Sequence, residues 1–258
     1  MPNINDINGV TIANLSKLDG VTKANIAKVL GLDVTAAAAF LLDTYTGAEA
    51  GYSVRRIASG ATNLMRIRED SGDTETDIGY DSNGDLDLAA IASHCGTANG
   101  FVVSWVDQSG NGNNAAQSTT TEQPKIYDGT TQAVITENGK PGLSFNFQIL
   151  NVTTQVALTG NTHIQCVAQY KLGRFYYGGP SGHFLQVEAG GGAGTLNYRG
   201  FGADVFGVPT YTADEQSTHT VARDASDTCR VYYKGTLLDT ELNRTATTYF
   251  DRIGDGNG

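Results

Sequence analysis

Apolar and polar residues alternate with a period of two along much of this chain. Leu64-Met-Arg-Ile-Arg68 places Leu64 (or Met65) and Ile67 opposite Arg66 and Arg68. The stretch 162–170 sets Ile164, Cys166 and Ala168 against His163, Gln165, Val167 and Gln169. Leu143, Phe145 and Phe147 share one side of the stretch 141–147. Similar signals occur over 50–57, 101–105, 125–127, 133–136, 184–188, 195–199, 218–223 and 229–239. Period two is the mark of half-buried strands. Asp128-Gly129, Asn138-Gly139 and Lys234-Gly235 supply the turn residues of short hairpins. Short strands at this spacing predict a mainly β fold: a two-sheet antiparallel β-sandwich.

Two stretches break the alternation. Residues 34–42 read as a short helix that Asp33 or Thr35 caps, and residues 88–94 as a helix with Asp87 as N-cap and Gly96 as its stop. The glycine tract 190–194 reads as a loop, as does the tail 251–258. Arg66 and Arg68 are expected on a solvated face near Glu69, Asp70 and Asp73.

The first 35 residues carry an internal repeat. Ile7–Lys17 aligns with Leu18–Lys28, a third copy starts at Val29, and Gly9, Gly20 and Gly31 recur every 11 residues. Each unit is expected to form a glycine turn followed by a short helical turn. Apolar positions flank the glycines and recur further on: Ile7, Val10 and Leu15 in one unit, Leu18, Val21 and Ile26 in the next. So few apolar side chains do not offset the ordering entropy of the segment. It therefore reads as an arm (residues 1–35) that docks on a partner, ahead of a sandwich domain (36–258). Packing on its own domain is the alternative.

The centre of the sequence is Trp105-Val-Asp107-Gln108-Ser109-Gly110-Asn111-Gly112-Asn-Asn114. It follows the apolar run 101–104 and contains the only Trp. Its glycines and asparagines tolerate positive φ, and Asp107 and Ser109 can fold back onto nearby N–H groups. The stretch reads as a tightly wound loop. It lacks the Lys-Ser/Thr ending of a phosphate loop.

Trp105 to Gln117, with Gln123-Pro-Lys-Ile126 downstream, resembles the W/Y-x-DQSGNGN-x-A-x-Q…QP-x-I signature of concanavalin-like sandwich domains. Fungal α-L-arabinofuranosidase catalytic domains and many bacteriophage structural proteins share it. Further resemblances to the module run in order upstream: Ala50–Ile57 to AYSLRRL, Met65–Arg68 to V-R-R, Asp77–Tyr80 to DIGF and Gly84–Asp87 to GDLD. Residues 229–239 resemble a laminin-G-like hairpin with its turn at Lys234-Gly235, and the arm resembles N-terminal arms of phage particle proteins. Such domains usually add one more closing strand, which the sequence lacks after the loop-like tail. The module matches alone leave enzyme and virion protein open; together with the arm the resemblance implies a structural protein of a tailed-phage virion, a capsid decoration or a fibre, made in the host cytoplasm, with an arabinofuranosidase-like glycoside hydrolase as the alternative. Its partners would be capsid or tail proteins, other copies of itself in a homotrimer, and a host-surface glycan. Tyr176, Tyr177, Tyr198, Tyr211, Tyr232 and Tyr233 are candidate sugar platforms, although core or sheet positions suit most of them.

Composition narrows the alternatives. A net charge of −10 argues against a nucleic-acid surface, which needs clustered Lys and Arg. No apolar run is long enough to cross a membrane, and the start lacks the basic and apolar regions of a signal peptide. Cys95, Cys166 and Cys229 are widely spaced and read as buried thiols, with a zinc site from distant residues as the alternative. No cofactor is expected. Calcium is left open, because Asp81, Asn83 and Asp85 alternate oxygen side chains and concanavalin-like domains often hold an ion. Leu86 and Ala92 break the EF-hand pattern, so a turn leading into the Asp87-capped helix is favoured. The arabinofuranosidases place their catalytic Glu beside adjacent cysteines, a pair missing here. Glu188 is the remaining candidate nucleophile for a glycosidase, and no G-x-S-x-G elbow occurs. A non-enzymatic role is expected.

Overall fold

The period-two pattern becomes two antiparallel sheets packed face to face. The structure, a computed structural model, describes residues 40–169, 174–176, 186–189, 196–201, 203–206 and 215–254, and the short pieces 6–7, 10–11, 17–18 and 21–22. Main strands are β1 (Met65–Glu69), β2 (Glu75–Ile78), β3 (Gly100–Trp105), β4 (Ala115–Ala116), β5 (Lys125–Asp128), β6 (Ile149–Leu158), β7 (Thr162–Gln169) and β8 (Arg174–Tyr176). They continue with β9 (Gln186–Ala189), β10 (Leu196–Gly200), β11 (Ala203–Phe206), β12 (Gln216–Arg223), β13 (Cys229–Tyr233), β14 (Thr236–Glu241) and β15 (Thr248–Gly254). The larger sheet runs β5-β3-β4-β6-β15-β8-β9-β10-β11, with Ala133–Val134 beside β5 and with β1 joining β2 to β3. The smaller sheet runs β7-β12-β13-β14.

One core joins them. Ile67, Val102, Leu150, Val152, Phe250 and Ile253 come from the larger sheet, and Val221, Cys229 and Val231 from the smaller. Burying a large aliphatic or aromatic side chain contributes about 1.5–3 kcal/mol. On β7, Ile164, Cys166 and Ala168 face inwards, while His163, Gln165, Val167 and Gln169 are exposed. Burial pushes the thiols of Cys95 and Cys229 up to about 11 and that of Cys166 higher still.

Several sequence expectations need correction. The tail is not loop throughout: residues 251–254 complete β15, which lies inside the larger sheet between β6 and β8. Phe250 and Ile253 are its buried apolar side chains, and the flanking glycines and charges had hidden that short pattern. The helix expected over 34–42 does not run through Phe40. Phe40 is extended and precedes a single turn, α1 (Leu41–Thr44), while Asp33 and Thr35 lie outside the described residues. The second helix, α2 (Leu88–Cys95), is capped by Asp87, which accepts from the Ala90 N–H at 2.9 Å. Phe147 does not continue the side shared by Leu143 and Phe145. It turns out at φ 66° and is 61% exposed. Asp128-Gly129 opens a four-residue loop rather than a two-residue turn, since Asp128 pairs with Ala133. Asn138-Gly139 and Lys234-Gly235 do close tight hairpins, with φ positive at all four residues.

The arm has regular local structure where it is described. Asp6 pairs with Thr11 and Ile7 with Val10; Lys17 pairs with Thr22 and Leu18 with Val21. The same ladder thus recurs at the sequence period. The helical turns expected over 23–28 lie outside the described residues.

Three buried polar groups hold the fold at its margins. Arg223 on β12 is buried and donates to four carbonyls: Leu158 (3.0 Å), Gly160 (3.1 Å), Arg244 (2.9 Å) and Ala246 (2.7 Å). Its guanidinium also lies 4.5 Å from the Phe201 ring centroid. It ties the end of β6 to the segment entering β15. Glu69 on β1 accepts from Ser71 and Thr74, each through both N–H and hydroxyl, and from the Gly72 N–H. Those donors, the Ser71 hydroxyl first, hold its carboxyl far below the usual range. His219 on β12 sits 2.9 Å from the Ser217 hydroxyl and against the Tyr233 ring, and burial pulls its pKa down to about 4.

Arg223→Met should therefore cost about 3 kcal/mol in urea unfolding, because four carbonyls lose their donor. Arg223→Lys should recover less than half, since a point charge cannot span them. The acid limb should show two windows. The unfolded chain protonates histidine near pH 6.5, whereas His219 in the fold resists until about pH 4. Stability therefore falls as the pH drops from about 6.5 to 4, by about 3 kcal/mol. Glu69 acts below that: its contribution is complete above the unfolded value of about 4.3 and is lost as the pH falls further. Urea midpoints against pH should lose the upper slope in His219→Gln and the lower one in Glu69→Gln. An unchanged upper slope in His219→Gln would contradict the assignment.

Candidate functional site

Strand β3 ends in Trp105 and delivers the chain into the loop 106–114. Its neighbour is the segment 48–57, which the alternation had suggested as a strand. It is not one. Among the described residues its one sheet partner is an isolated bridge from Arg55 to Asp85, through which the Arg56 N–H bonds the Gly84 carbonyl and the Leu86 N–H the Val54 carbonyl. Buried backbone groups still need partners. Here side chains of the loop supply them.

Asp107 accepts from the Gly51 N–H at 2.8 Å and the Ile57 N–H donates to Gln108 Oε1 at 2.8 Å. Gln108 Nε2 donates to the Arg55 carbonyl at 3.0 Å, and its own backbone N–H to the Gly51 carbonyl at 2.8 Å. Trp105 Nε1 donates to the Ser53 carbonyl at 3.2 Å. Asn111 Nδ2 reaches the Ala48 carbonyl at 2.9 Å and Asn113 Nδ2 the Glu49 carbonyl at 2.8 Å. The Tyr52 hydroxyl returns a bond to the Asn113 carbonyl. Burial, with the Asp107 carboxylate adding, raises the Tyr52 phenol well above its ordinary value, so it remains a donor. The Tyr52 ring also packs between Trp105 and Phe250, at 5.8 and 6.0 Å. The two resembling motifs, 50–57 and 105–114, are therefore one physical unit.

The loop is also bound to itself. Asp107 Oδ1 accepts from the Ser109 N–H at 2.9 Å, and Oδ2 from the Ser109 hydroxyl at 2.7 Å and the Asn113 N–H at 3.0 Å. Asn114 Oδ1 accepts from the Asp107 N–H at 2.9 Å. Gly110 and Gly112 have φ of 89° and 76°, which a Cβ would strain. Only the tip, Gly110 to Gly112, is exposed.

A second relay runs beneath. Arg68 is buried, not solvated as expected. It donates to Gln123 Oε1 at 2.8 Å and to Asp73 at 2.5 Å. Gln123 Nε2 donates to the Gln117 carbonyl at 2.8 Å, and Gln117 Nε2 to the Ile149 carbonyl at 3.2 Å. A register shift between Arg66 and Ile67 in the β1–β3 pairing disturbs the simple alternation. Arg66 does face solvent, bonded to Glu75 and Asp77.

The other sequence candidates scatter. Asp81 accepts from the backbone N–H groups of Asn83 and Asp85 at 2.8 and 3.0 Å, which makes it the keystone of a turn. Asp85 lies 3.7 Å from Arg55. Among the described residues no group of three or more His, Cys, Asp or Glu side chains is placed to hold a metal ion. Glu188 lies on β9 opposite Arg174 and Asn197, and Tyr176 and Tyr198 lie on β8 and β10. Tyr177, Tyr211, Gly9, Leu15, Gly20, Ile26 and Gly31 fall outside the described residues. Tyr233 is buried beside His219, whereas Tyr232 is on the outer face of the smaller sheet. Sequence reasoning missed the Arg223 clamp and the Glu69 turn. A basic or acidic residue at an inward-facing strand position was the available signal.

No protein-family model matches the chain, and no curated protein matches it. Solved structures do. A GH54 α-L-arabinofuranosidase soaked with a cyclic sulfate inhibitor superposes with a TM-score of 0.57 at 16% identity. An arabinofuranosidase complexed with arabinofuranosyl-α-1,2-xylobiose superposes at 0.61 and 17%. The fold is shared. Each match covers 84% of this chain but only 61% of the arabinofuranosidase. At this identity the likeness carries the fold and not the chemistry.

Asp107→Asn should turn an acceptor of four hydrogen bonds into one that meets donors with its own NH2. The expected cost is about 2–4 kcal/mol, with a shift in Trp105 emission. Gly110→Ala and Gly112→Ala should each cost about 1 kcal/mol. Equal stability of Asp107→Asn and the parent in urea would refute the scaffold role.

Proposed function

We propose that this chain is a non-enzymatic structural component of a tailed-phage virion, a capsid decoration or a head or tail fibre. The arm docks on capsid or tail, and the sandwich is exposed on the particle, where it adheres to a host glycan. The observation that supports this reading is the arm. Its two described ladders are two residues long and repeat at an 11-residue offset. A ladder that short is not stable alone in water, so it needs a surface to complete it. An enzyme has no use for such a tract; a particle protein does.

The loop chemistry agrees. Every side-chain oxygen of Asp107 and Gln108 is engaged on this chain's own N–H groups, which suits a scaffold. Among the described residues the carboxyls with displaced acidity, Glu69, Asp81, Asp128 and Asp224, are all held low, chiefly by hydrogen bonds. A glycosidase general acid needs the opposite shift. The second reading is a glycoside hydrolase of arabinofuranosidase type. The fold likeness favours it, and Glu188 is the residue to test.

Particles from a host lysate, banded on a density gradient and washed in high salt, should carry this chain at fixed stoichiometry by peptide mass spectrometry. The triple variant Ile7→Asp, Leu18→Asp, Ile26→Asp should leave the band while its thermal unfolding midpoint stays that of the parent. Recovery only in the soluble fraction, together with release of arabinose from an aryl arabinoside that Glu188→Gln abolishes, would establish the hydrolase instead.

A further inference from the structure

The smaller sheet has an outer face of unusual chemistry for so acidic a chain. Antiparallel register lines up Gln165, Thr220, Tyr232 and Leu237 in one row across its four strands. Val167 stands opposite Thr218 in the next row. Val167 is 60% exposed and Leu237 49%. Arg230 also points to this face, and its charge is taken up by Asp224 at 2.7 Å. The rows therefore present amide, hydroxyl, phenol and aliphatic groups with no net charge, on a protein whose net charge is −10.

These polar groups differ from those of the Trp105 loop. The side chains of Gln165, Thr218, Thr220 and Tyr232 make no hydrogen bond to other described residues. Among the described residues the loop spends its polar groups internally, whereas this face presents them outwards. The cations that border these rows are each paired with a carboxylate, Arg230 with Asp224 at 2.7 Å and Lys234, whose N–H bonds the Thr218 carbonyl, with Glu215 at 2.5 Å. A neutral polyhydroxylated chain matches. Its hydroxyls pair with the amide and hydroxyls, and its C–H faces lie on Tyr232, Val167 and Leu237. Strands about 4.8 Å apart make the row about 14 Å across, room for a few sugar rings.

We infer that the outer face of the β7-β12-β13-β14 sheet binds a neutral glycan lying across the strands, with Gln165 and Tyr232 as its principal contacts. The inference deepens the adhesion part of the virion reading and rests on it for its biological setting.

The test is affinity electrophoresis of the full chain through gels containing dextran, mannan, arabinoxylan or galactan, with alginate as the acidic control. Retardation is expected in at least one neutral gel and not in alginate. The double variant Gln165→Ala, Tyr232→Ala should weaken it at least tenfold with an unchanged unfolding midpoint. Thr220→Asp, which adds a charge without touching the core, should abolish it. Absence of retardation in all four neutral gels overturns the inference, as does retardation that survives in both variants. Particle association is scored separately. A chain found on particles without neutral-glycan binding overturns this inference alone. A chain that binds glycan but never bands with particles overturns the virion reading alone.

Discussion

The structure depends on satisfying a stretch of extended backbone whose only sheet pairing among the described residues is an isolated bridge. Residues 48–57 run beside the Trp105 loop, and a bare segment there would leave N–H and C=O groups unpaired. Each such group costs about 1–3 kcal/mol when buried. Asp107, Gln108, Asn111 and Asn113 replace the missing strand with side-chain amides and a carboxylate. This imposes a strict requirement on residue type. The acceptor at 107 must take four donors, and the amide at 108 must donate and accept at once.

The same logic extends through the molecule. Arg68, Gln123 and Gln117 link β1 to the approach to β5 and the start of β6. Arg223 links β6 to the entry of β15. Glu69 closes the turn after β1. In each case a buried polar side chain spends its bonding capacity on backbone or on other polar side chains, the exposed Asp73 beside Arg68 included. Such networks contribute to a unique register at the cost of sensitivity to single substitutions. The acid response follows from these sites: burial keeps His219 neutral, and hydrogen bonds keep Glu69 ionised, where the unfolded chain is protonated.

Function is then a matter of which polar groups are left over. The motif that resembles the arabinofuranosidase signature is absorbed into scaffolding, so the fold by itself carries no chemistry. The outer face of the smaller sheet presents amides and hydroxyls that make no hydrogen bond to other described residues. The arm retains ladders too short to stand alone. Those two surfaces are where the proposed adhesion and anchoring reside.

The sandwich class was legible in the sequence because period-two alternation and the Asn-Gly and Lys-Gly turns act locally. So were the Asp87 cap and the inward set on β7, each settled within a few residues. The arm's period was legible as well, although its ladders were not. Other features depend on residues distant in sequence. Ala50–Ile57 has the pattern of a strand, and nothing in it reveals that its partners are side chains more than fifty residues away. Arg68 looked solvated because alternation predicts its face, while the buried Gln123, 55 residues away, draws it inside. Residues 251–254 looked like loop, because the alternation of β15 is short and only its position between β6 and β8 makes it a strand. Periodicity is a property of the chain by itself; the partner that satisfies a buried polar group is decided only when distant segments meet.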